Sequence, residues 1–173
     1  AQQMLELLTK QEKQKDTVLQ GLIAEINVLN ELWLEEFRAI KAELDRVNAN
    51  HTALKLEAEF KGGKETALVF MQQMFRGSNI REATLRNVMA DYADFGGLFR
   101  DIENAKGKAG STPDVFEMTL FQNLPDFLPY QVPNSFVIRY RGKELKHHSL
   151  GQRASALILY VLSQRENDVI IID

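Results

Sequence analysis

KHHSLGQRASALILYVLSQRENDVIIID, residues 146–173, is the stretch on which the reading of this chain turns. Ser149 stands just before a segment in which Ala154, Leu157, Ile158, Val161 and Leu162 share one helical face, so it is a natural N-cap. The opening of a helix presents N–H groups without partners and the positive end of the helix dipole. A phosphate could dock there on backbone amides, the Ser149 hydroxyl and the Gln152 side chain. Gly151, lacking a Cβ, would let a phosphate chain approach the backbone. A short polar connection (residues 164–168) then leads to four apolar β-formers, residues 169–172, which suit a strand buried on both faces of a parallel sheet. Asp173 follows at the carboxyl end of that strand, where open α/β sheets place ligand-binding groups, and a carboxylate there could hold a hydrated Mg2+. Taken singly, each half reads as an ordinary helix cap or strand end; together they form one contiguous unit.

Working back to the amino end, residues 1–50 contain no Pro and a single Gly, Gly21. Leu22, Ile26, Leu29, Trp33, Phe37, Ile40, Leu44 and Val47 recur in steps of three and four, one stripe on a long helix. Fifty helical residues would reach roughly 75 Å, so a coiled-coil arm over 1–50 is expected, with a long bundle helix as the alternative. KQEKQKD, residues 10–16, interrupts the seam and predicts fraying or a bend. The single stripe needs a partner helix, from a missing part of a longer chain or from another copy.

The remainder, residues 51–173, has globular patterning. Leu54, Leu56, Ala58 and Phe60 alternate with Lys55, Glu57 and Glu59, a half-buried strand. A helix is expected over 65–74 with Leu68, Met71 and Met74 inward, and another over 79–90 capped by Ser78 or Asn79. GGKE, residues 62–65, is not a phosphate-binding loop, because Ala58 and Glu65 stand where that motif needs Gly and Ser or Thr. Residues 92–112 predict a turn and an exposed loop; DFG, residues 94–96, lacks any kinase surroundings. Pro113 opens a helix carrying Phe116, Leu120, Phe121 and Leu124, which Pro125 ends. Phe136, Ile138 and Tyr140 mark a second strand, closed by a turn at Gly142 and Lys143.

Composition sets the outer bounds. The chain has 173 residues, 45% of them hydrophobic, enough for one core with an extension. Its net charge of −3 gives no general reason to expect nucleic acid or an anionic membrane as partner. It has no cysteine, which fits a cytoplasmic protein and excludes thiolate metal sites. No apolar run approaches the ~20 residues that cross a bilayer, and both ends look like cuts in something longer. His147 and His148 are read as a solvated pair rather than metal ligands, and Arg139, Arg141, Lys143 and Lys146 as a solvated strand and turn rather than a nucleic-acid contact. Arg153 stays open between a phosphate and a neighbouring carboxylate.

The unit at the carboxyl end resembles the second lobe of an ABC-type ATPase head, specifically of the structural maintenance of chromosomes (SMC)-like group. The family's Leu-Ser-Gly-Gly-Gln signature corresponds to His148-Ser149-Leu150-Gly151-Gln152, and its Walker B strand to residues 169–173. The long helix resembles the returning arm of the family's antiparallel coiled coil. The resemblance implies an α-rich α/β fold: a coiled-coil helix followed by a partial P-loop-NTPase-type head lobe with a small sheet and packing helices. It implies that Ser149, Gly151 and Gln152 contact the γ-phosphate of ATP held by a second head, and that Asp173 acts in cis through Mg2+. His148 and Leu150 depart from the usual Leu and Gly. The catalytic Glu, the Walker A loop and the missing amino-terminal lobe would lie outside this sequence, so no catalytic residue falls within it and the piece would be inactive alone. The implied partners are that missing lobe, a second head forming a homodimer, and DNA, in genome maintenance or defence; no membrane is implied. A different class also fits the patterning: a non-enzymatic coiled-coil scaffold with a protein-binding head.

Overall fold

The computed structural model describes residues 2–49 and 53–163, apart from the side chains of residues 2–9, 12, 15, 16, 162 and 163. The Walker B expectation, residues 169–172 with Asp173, lies outside the described residues. The fold is helix-rich with a small antiparallel sheet, and contacts divide it into two units: residues 1–35 with 61–133, and residues 36–60 with 134–173.

Helix α1 (Gln2–Ala49) runs without a break through KQEKQKD, where fraying was expected. Its residues 2–35 belong to the first unit, which also holds α2 (Lys64–Met74), α3 (Glu82–Met89), α4 (Phe95–Arg100), α5 (Ile102–Lys108), α6 (Pro113–Gln122) and α7 (Leu124–Phe127). The core of this unit is aromatic. Phe95, Phe116 and Phe127 are essentially without solvent contact, packed with Met71, Leu85, Val88, Leu98 and Leu120. Phe70 stacks on Tyr130 with centroids 4.0 Å apart, and Phe95 meets Phe127 at 4.8 Å, a separation at which aromatic pairs attract.

The structure departs from the sequence expectation at three places. Residues 92–112 are not one exposed loop, because they fold into α4 and α5 and bury Phe95, Leu98 and Ala105. Neither Ser78 nor Asn79 caps the following helix. The Ser78 hydroxyl donates to the carbonyl of Phe75 at the end of α2, Asn79 has φ 62, and α3 begins only after Arg81. Pro125 does not simply end α6: it stands in the first turn of α7, where a missing N–H costs nothing.

The second unit holds the rest of α1 and an antiparallel sheet ordered β1 (Leu54–Glu59), β2 (Ser135–Tyr140), β3 (Lys143–Glu144), then a short 3-10 turn (Leu145–His147) and α8 (Leu150–Ser163). Leu54 pairs with Tyr140, Leu56 with Ile138 and Ala58 with Phe136, so the apolar residues of both strands share one face. Arg141 (φ 50) and Gly142 (φ 81) form the two-residue link between β2 and β3; both central residues of this kind of turn require positive φ, and the turn lies one residue earlier than expected. The outer edge of β1 is not left bare. The Asn48 side-chain amide donates to the Leu56 carbonyl at 2.8 Å and accepts from the Leu56 N–H at 2.7 Å, as a neighbouring strand would.

The stripe on α1 is covered unevenly: Leu22, Leu29, Trp33, Leu44 and Val47 are half-buried and Ile40 is exposed. Ile26 and Phe37 are buried, Phe37 with its ring 5.3 Å from that of Phe60. A second apolar set, Val18, Val28 and Leu32, stays more than half exposed.

Candidate functional site

The site expected from the sequence is the opening of α8. The chain reaches it from the β2–β3 turn through the 3-10 turn, which leaves His148 extended (φ −92, ψ 158) and places Ser149 at the cap position. Ser149 and Gln152 then close on each other. The Gln152 N–H donates to Ser149 Oγ at 3.4 Å, and the Ser149 N–H donates to Gln152 Oε1 at 3.2 Å. This is the reciprocal arrangement of a capping box, serine at the cap and glutamine three residues on, each side chain satisfying the other's backbone donor. Ser149, Leu150, Gly151, Gln152 and Arg153 are all exposed. A Cβ built on Gly151 meets nothing within 4 Å, so the space in front of the mouth is open. Leu150, 78% exposed, makes no use of its apolar side chain within the described residues.

His148 is not solvated in the way its neighbour is. Its ring packs edge-on against Tyr140 at 5.6 Å, and its Nε2 lies 3.0 Å from the Tyr140 carbonyl and 3.3 Å from that of Lys143. Since both carbonyls only accept, the Nε2 proton points to them. Its Nδ1 stands 3.1 Å from Gln152 Oε1. With that proton placed, Nδ1 bonds to Gln152 Oε1 only in the imidazolium form, which then ties the side chain of Gln152 to the end of the sheet. His147 remains exposed, 3.8 Å from a Glu144 carboxylate oxygen.

The basic residues nearby are largely compensated. Arg139 pairs with Glu57 at 2.9 Å and lies 3.8 Å from Glu144, and Lys146 pairs with Glu144 at 2.6 Å. Hydrogen bonding to Arg139 and then Lys55 holds the Glu57 carboxyl below its ordinary range, and Lys146 does the same for Glu144. Arg141 lies over the Tyr140 ring, 5.2 Å from its centroid. The arrangement is that of a charged, solvent-facing strand and turn.

The face of α8 turned to the sheet is not the one expected. Ala156 is fully buried with Leu54 and Tyr140, and Tyr160 and Leu145 pack at the margin. Ala154, Leu157 and Val161 are exposed instead. Residues 156–161 are apolar nearly all round the helix, a pattern that belongs to helices covered on more than one side.

Sequence reading missed the most heavily buried polar cluster, which is in the first unit. Lys61 is 5% exposed and Asp94 6%. Lys61 Nζ donates to Asp94 Oδ2 and, at 2.5 Å, to Asn30 Oδ1, and it lies 5.6 Å from the Trp33 ring centroid. Asp94 Oδ1 meanwhile accepts from the Gly97 N–H at 2.6 Å, capping α4. Burial pushes the Asp94 carboxyl up, but the Lys61 ammonium, the Gly97 N–H and the charge of Arg100 outweigh it and hold the group below its ordinary value. Next to this cluster, Lys64 Nζ donates to the Tyr92 carbonyl, which gives the lysine of GGKE a structural role. Burial, then its hydrogen bond to Asp101, pushes the Tyr92 phenol up to about 12, so it stays neutral and donates at physiological pH. The only sequence signal for the cluster was the DFG tripeptide, whose Asp is a cap and ion-pair partner.

Among the described residues no group of three or more His, Asp or Glu side chains is arranged to hold a metal, and no helix is long and apolar enough to cross a membrane. No family model, curated protein or solved structure matches the chain.

Proposed function

We propose that this chain is the carboxy-terminal lobe, with its coiled-coil arm, of an SMC-like ABC-type ATPase head of P-loop-NTPase type, acting in the cytoplasm. The observation that carries the reading is the α8 mouth: Ser149, Gly151 and Gln152 lie together on an exposed helix opening with free space before the glycine. The groups present suit a γ-phosphate. A phosphate would find the first-turn N–H groups, the Ser149 hydroxyl and the amide NH2 of Gln152, all donors. In this reading they engage ATP held by a second head, while Asp173 holds Mg2+ on the chain's own nucleotide. ATP and Mg2+ supply the hydrolytic chemistry; the mouth serves to recognise phosphate and to bring two heads together. The exposed apolar side of α8 would receive the missing amino-terminal lobe, and Val18, Val28 and Leu32 the partner helix of the arm. DNA is the expected substrate of the intact machine on family grounds alone.

The test is Ser149→Arg in the intact protein. Head dimerisation that depends on ATP should be lost while ATP binding to a single head survives; dimerisation that persists overturns the role of Ser149. A second reading, a scaffold without enzymatic activity, is favoured by the capping box itself, because its donors and acceptors are satisfied without any ligand. Under that reading Ser149→Arg changes helix stability and leaves every ATP-dependent property untouched.

A further inference from the structure

We infer that the buried Lys61–Asp94–Asn30 cluster is a register lock, holding α1 on the opening of α4 in one axial and rotational setting. This does not depend on the ATPase reading. Residues Ile26, Asn27, Asn30 and Trp33 form one face of α1, and each meets this part of the first unit. A Cβ on Gly96 would come within 2.7 Å of Ile26 Cγ2, so the two helices approach as closely as a glycine permits. Arg100 Nη1 donates to Asn27 Oδ1, and Asn30 and Trp33 receive Lys61. Lys61 reaches them from a left-handed backbone conformation (φ 55) that side-chain-bearing residues seldom adopt.

Apolar contact alone cannot define this setting. If α1 slipped by one helical turn, the place of Ile26 would be taken by Leu22, Ile23 or Leu29 in three of the four possible slips, apolar each time. The polar contacts tolerate none of the four. Slips of four residues bring Ile26 or Leu34 to the buried ammonium in place of Asn30. A slip of three in one direction brings Trp33 there. The opposite slip of three does supply Asn27, but it exchanges Trp33 for Asn30 over the lysine and leaves Arg100 facing Ala24. Only the observed setting serves Lys61, Trp33 and Arg100 together. A buried polar residue that contributes specificity of register, as a single Asn does in the seam of a coiled coil, is the best-attested use of such groups. A long helix with a repeating stripe needs such a device if movement along the arm is to reach the globular part as a rigid displacement rather than be lost in slippage.

The chain has no cysteine, so introduced pairs are the only thiols present. Disulfide formation would be timed for Asn27→Cys with Arg100→Cys, the observed register, and for Ala24→Cys or Glu31→Cys with Arg100→Cys, which report slips of three and four. The 27/100 pair should close faster than the others by tenfold or more, an estimate that corresponds to a register preference of about one factor of ten in equilibrium constant. Asn30→Leu, which leaves the Lys61–Asp94 pair in place, should bring the three rates to within a few-fold of one another, and Asn30→Asp, which restores an acceptor of the same length, should recover the excess. An unchanged excess in a folded Asn30→Leu variant overturns the lock. If that variant does not fold, Asn30→Asp and Asn30→Ser decide between acceptor and packing: a lock requires the excess to follow the presence of a side chain that reaches Lys61, and equal excess in both refutes it.

Discussion

Asp94→Asn separates the charge of the buried pair from its geometry, and its outcome follows from two contacts of one carboxyl group. Oδ2 neutralises Lys61, whose side chain is 5% exposed against 8% for that of Asp94. Oδ1 caps α4 through the Gly97 N–H. Asparagine caps a helix about as well as aspartate, so the second contact survives the substitution. The first does not: an ammonium remains buried with a neutral amide in place of its counter-ion. Removing one member of a buried pair costs about 3–5 kcal/mol, against a total stability of about 5–15 kcal/mol for a domain. With a urea slope of about 1–3 kcal/mol/M, the midpoint should fall by about 1–5 M. Asp94→Ala should cost about 1 kcal/mol more, for the lost cap. Trp33, the single tryptophan, lies against Lys61 and makes its fluorescence a local probe of this unit during urea unfolding. The pH dependence has a fixed sign. Because the folded state holds the Asp94 carboxyl below its ordinary value, its stabilisation is complete above the unfolded-state value of about 3.9 and is lost as pH falls through the folded value. The gap between wild type and Asp94→Asn should therefore be full near neutral pH and close in acid. A midpoint for Asp94→Asn within 0.2 M of wild type, or a gap that widens on acidification, would refute the assignment of this pair as a stabilising contact.

Two glycines of the same unit should respond with opposite signs. Gly96→Ala places a Cβ 2.7 Å from Ile26 Cγ2 and should destabilise by about 1–3 kcal/mol, whereas Gly107→Ala in α5 meets nothing within 4 Å and should stabilise by up to about 1 kcal/mol; thermal unfolding of both variants checks this, and a common sign contradicts the packing described. Asn48→Ala leaves the Leu56 N–H and C=O without their amide partner and opens the edge of β1. It should cost about 1–3 kcal/mol and raise amide exchange at Leu56, and exchange that stays slow would mean that the edge is protected by something else.

How much of this was legible follows from what each signal encodes. Periodicity is a local property, and it located α1, β1, α2, α6, β2 and α8 to within a few residues. It failed at residues 92–112 because Gly96 and Gly97 read as a turn, yet the same absence of side chains is what lets α4 approach Ile26. Composition cannot distinguish a glycine that bends the chain from one that admits a neighbour. The inward face of α8 was missed for a related reason. With apolar residues nearly all round, sequence offered several candidate faces, and the choice fell to Ala156, whose small side chain fits over Leu54 and Tyr140. The burial of Lys61 was beyond reach, since its partners Asn30 and Asp94 are 31 and 33 residues away. Of the expected site, Ser149, Gly151 and Gln152 do fall together, as helix-start grammar requires. The position of His148 was not legible, because it arises from the β2–β3 turn.

The capping box and the proposed phosphate contact draw on the same donors, and their energetics bear on how the mouth would work. In the capping box Ser149 Oγ and Gln152 Oε1 each accept one backbone N–H, at 3.4 and 3.2 Å, long for such bonds. Each is a neutral hydrogen bond, with a net contribution of about 0.5–1.5 kcal/mol. A phosphate oxygen accepting the same N–H groups forms charge-assisted bonds roughly twice as strong, and does so at the positive end of the helix dipole. Exchange of the side-chain caps for phosphate is therefore favourable once a phosphate is presented at close range. The exchange also releases the Ser149 hydroxyl and the Gln152 amide to bind the ligand. In the imidazolium form of His148, Nδ1 donates to the Gln152 carbonyl oxygen while Nε2 donates to the sheet, a further restraint on Gln152. Leucine at that position could not hold it. On the proposed reading, a doubly protonated His148 would thus keep Gln152 folded onto its own helix until a neighbouring head delivers ATP, and at a pH where the ring is so protonated His148→Leu should make nucleotide-dependent pairing of the intact protein easier rather than harder. Pairing weakened by His148→Leu to the extent seen with Ser149→Arg would show instead that the histidine holds Gln152 in its productive position.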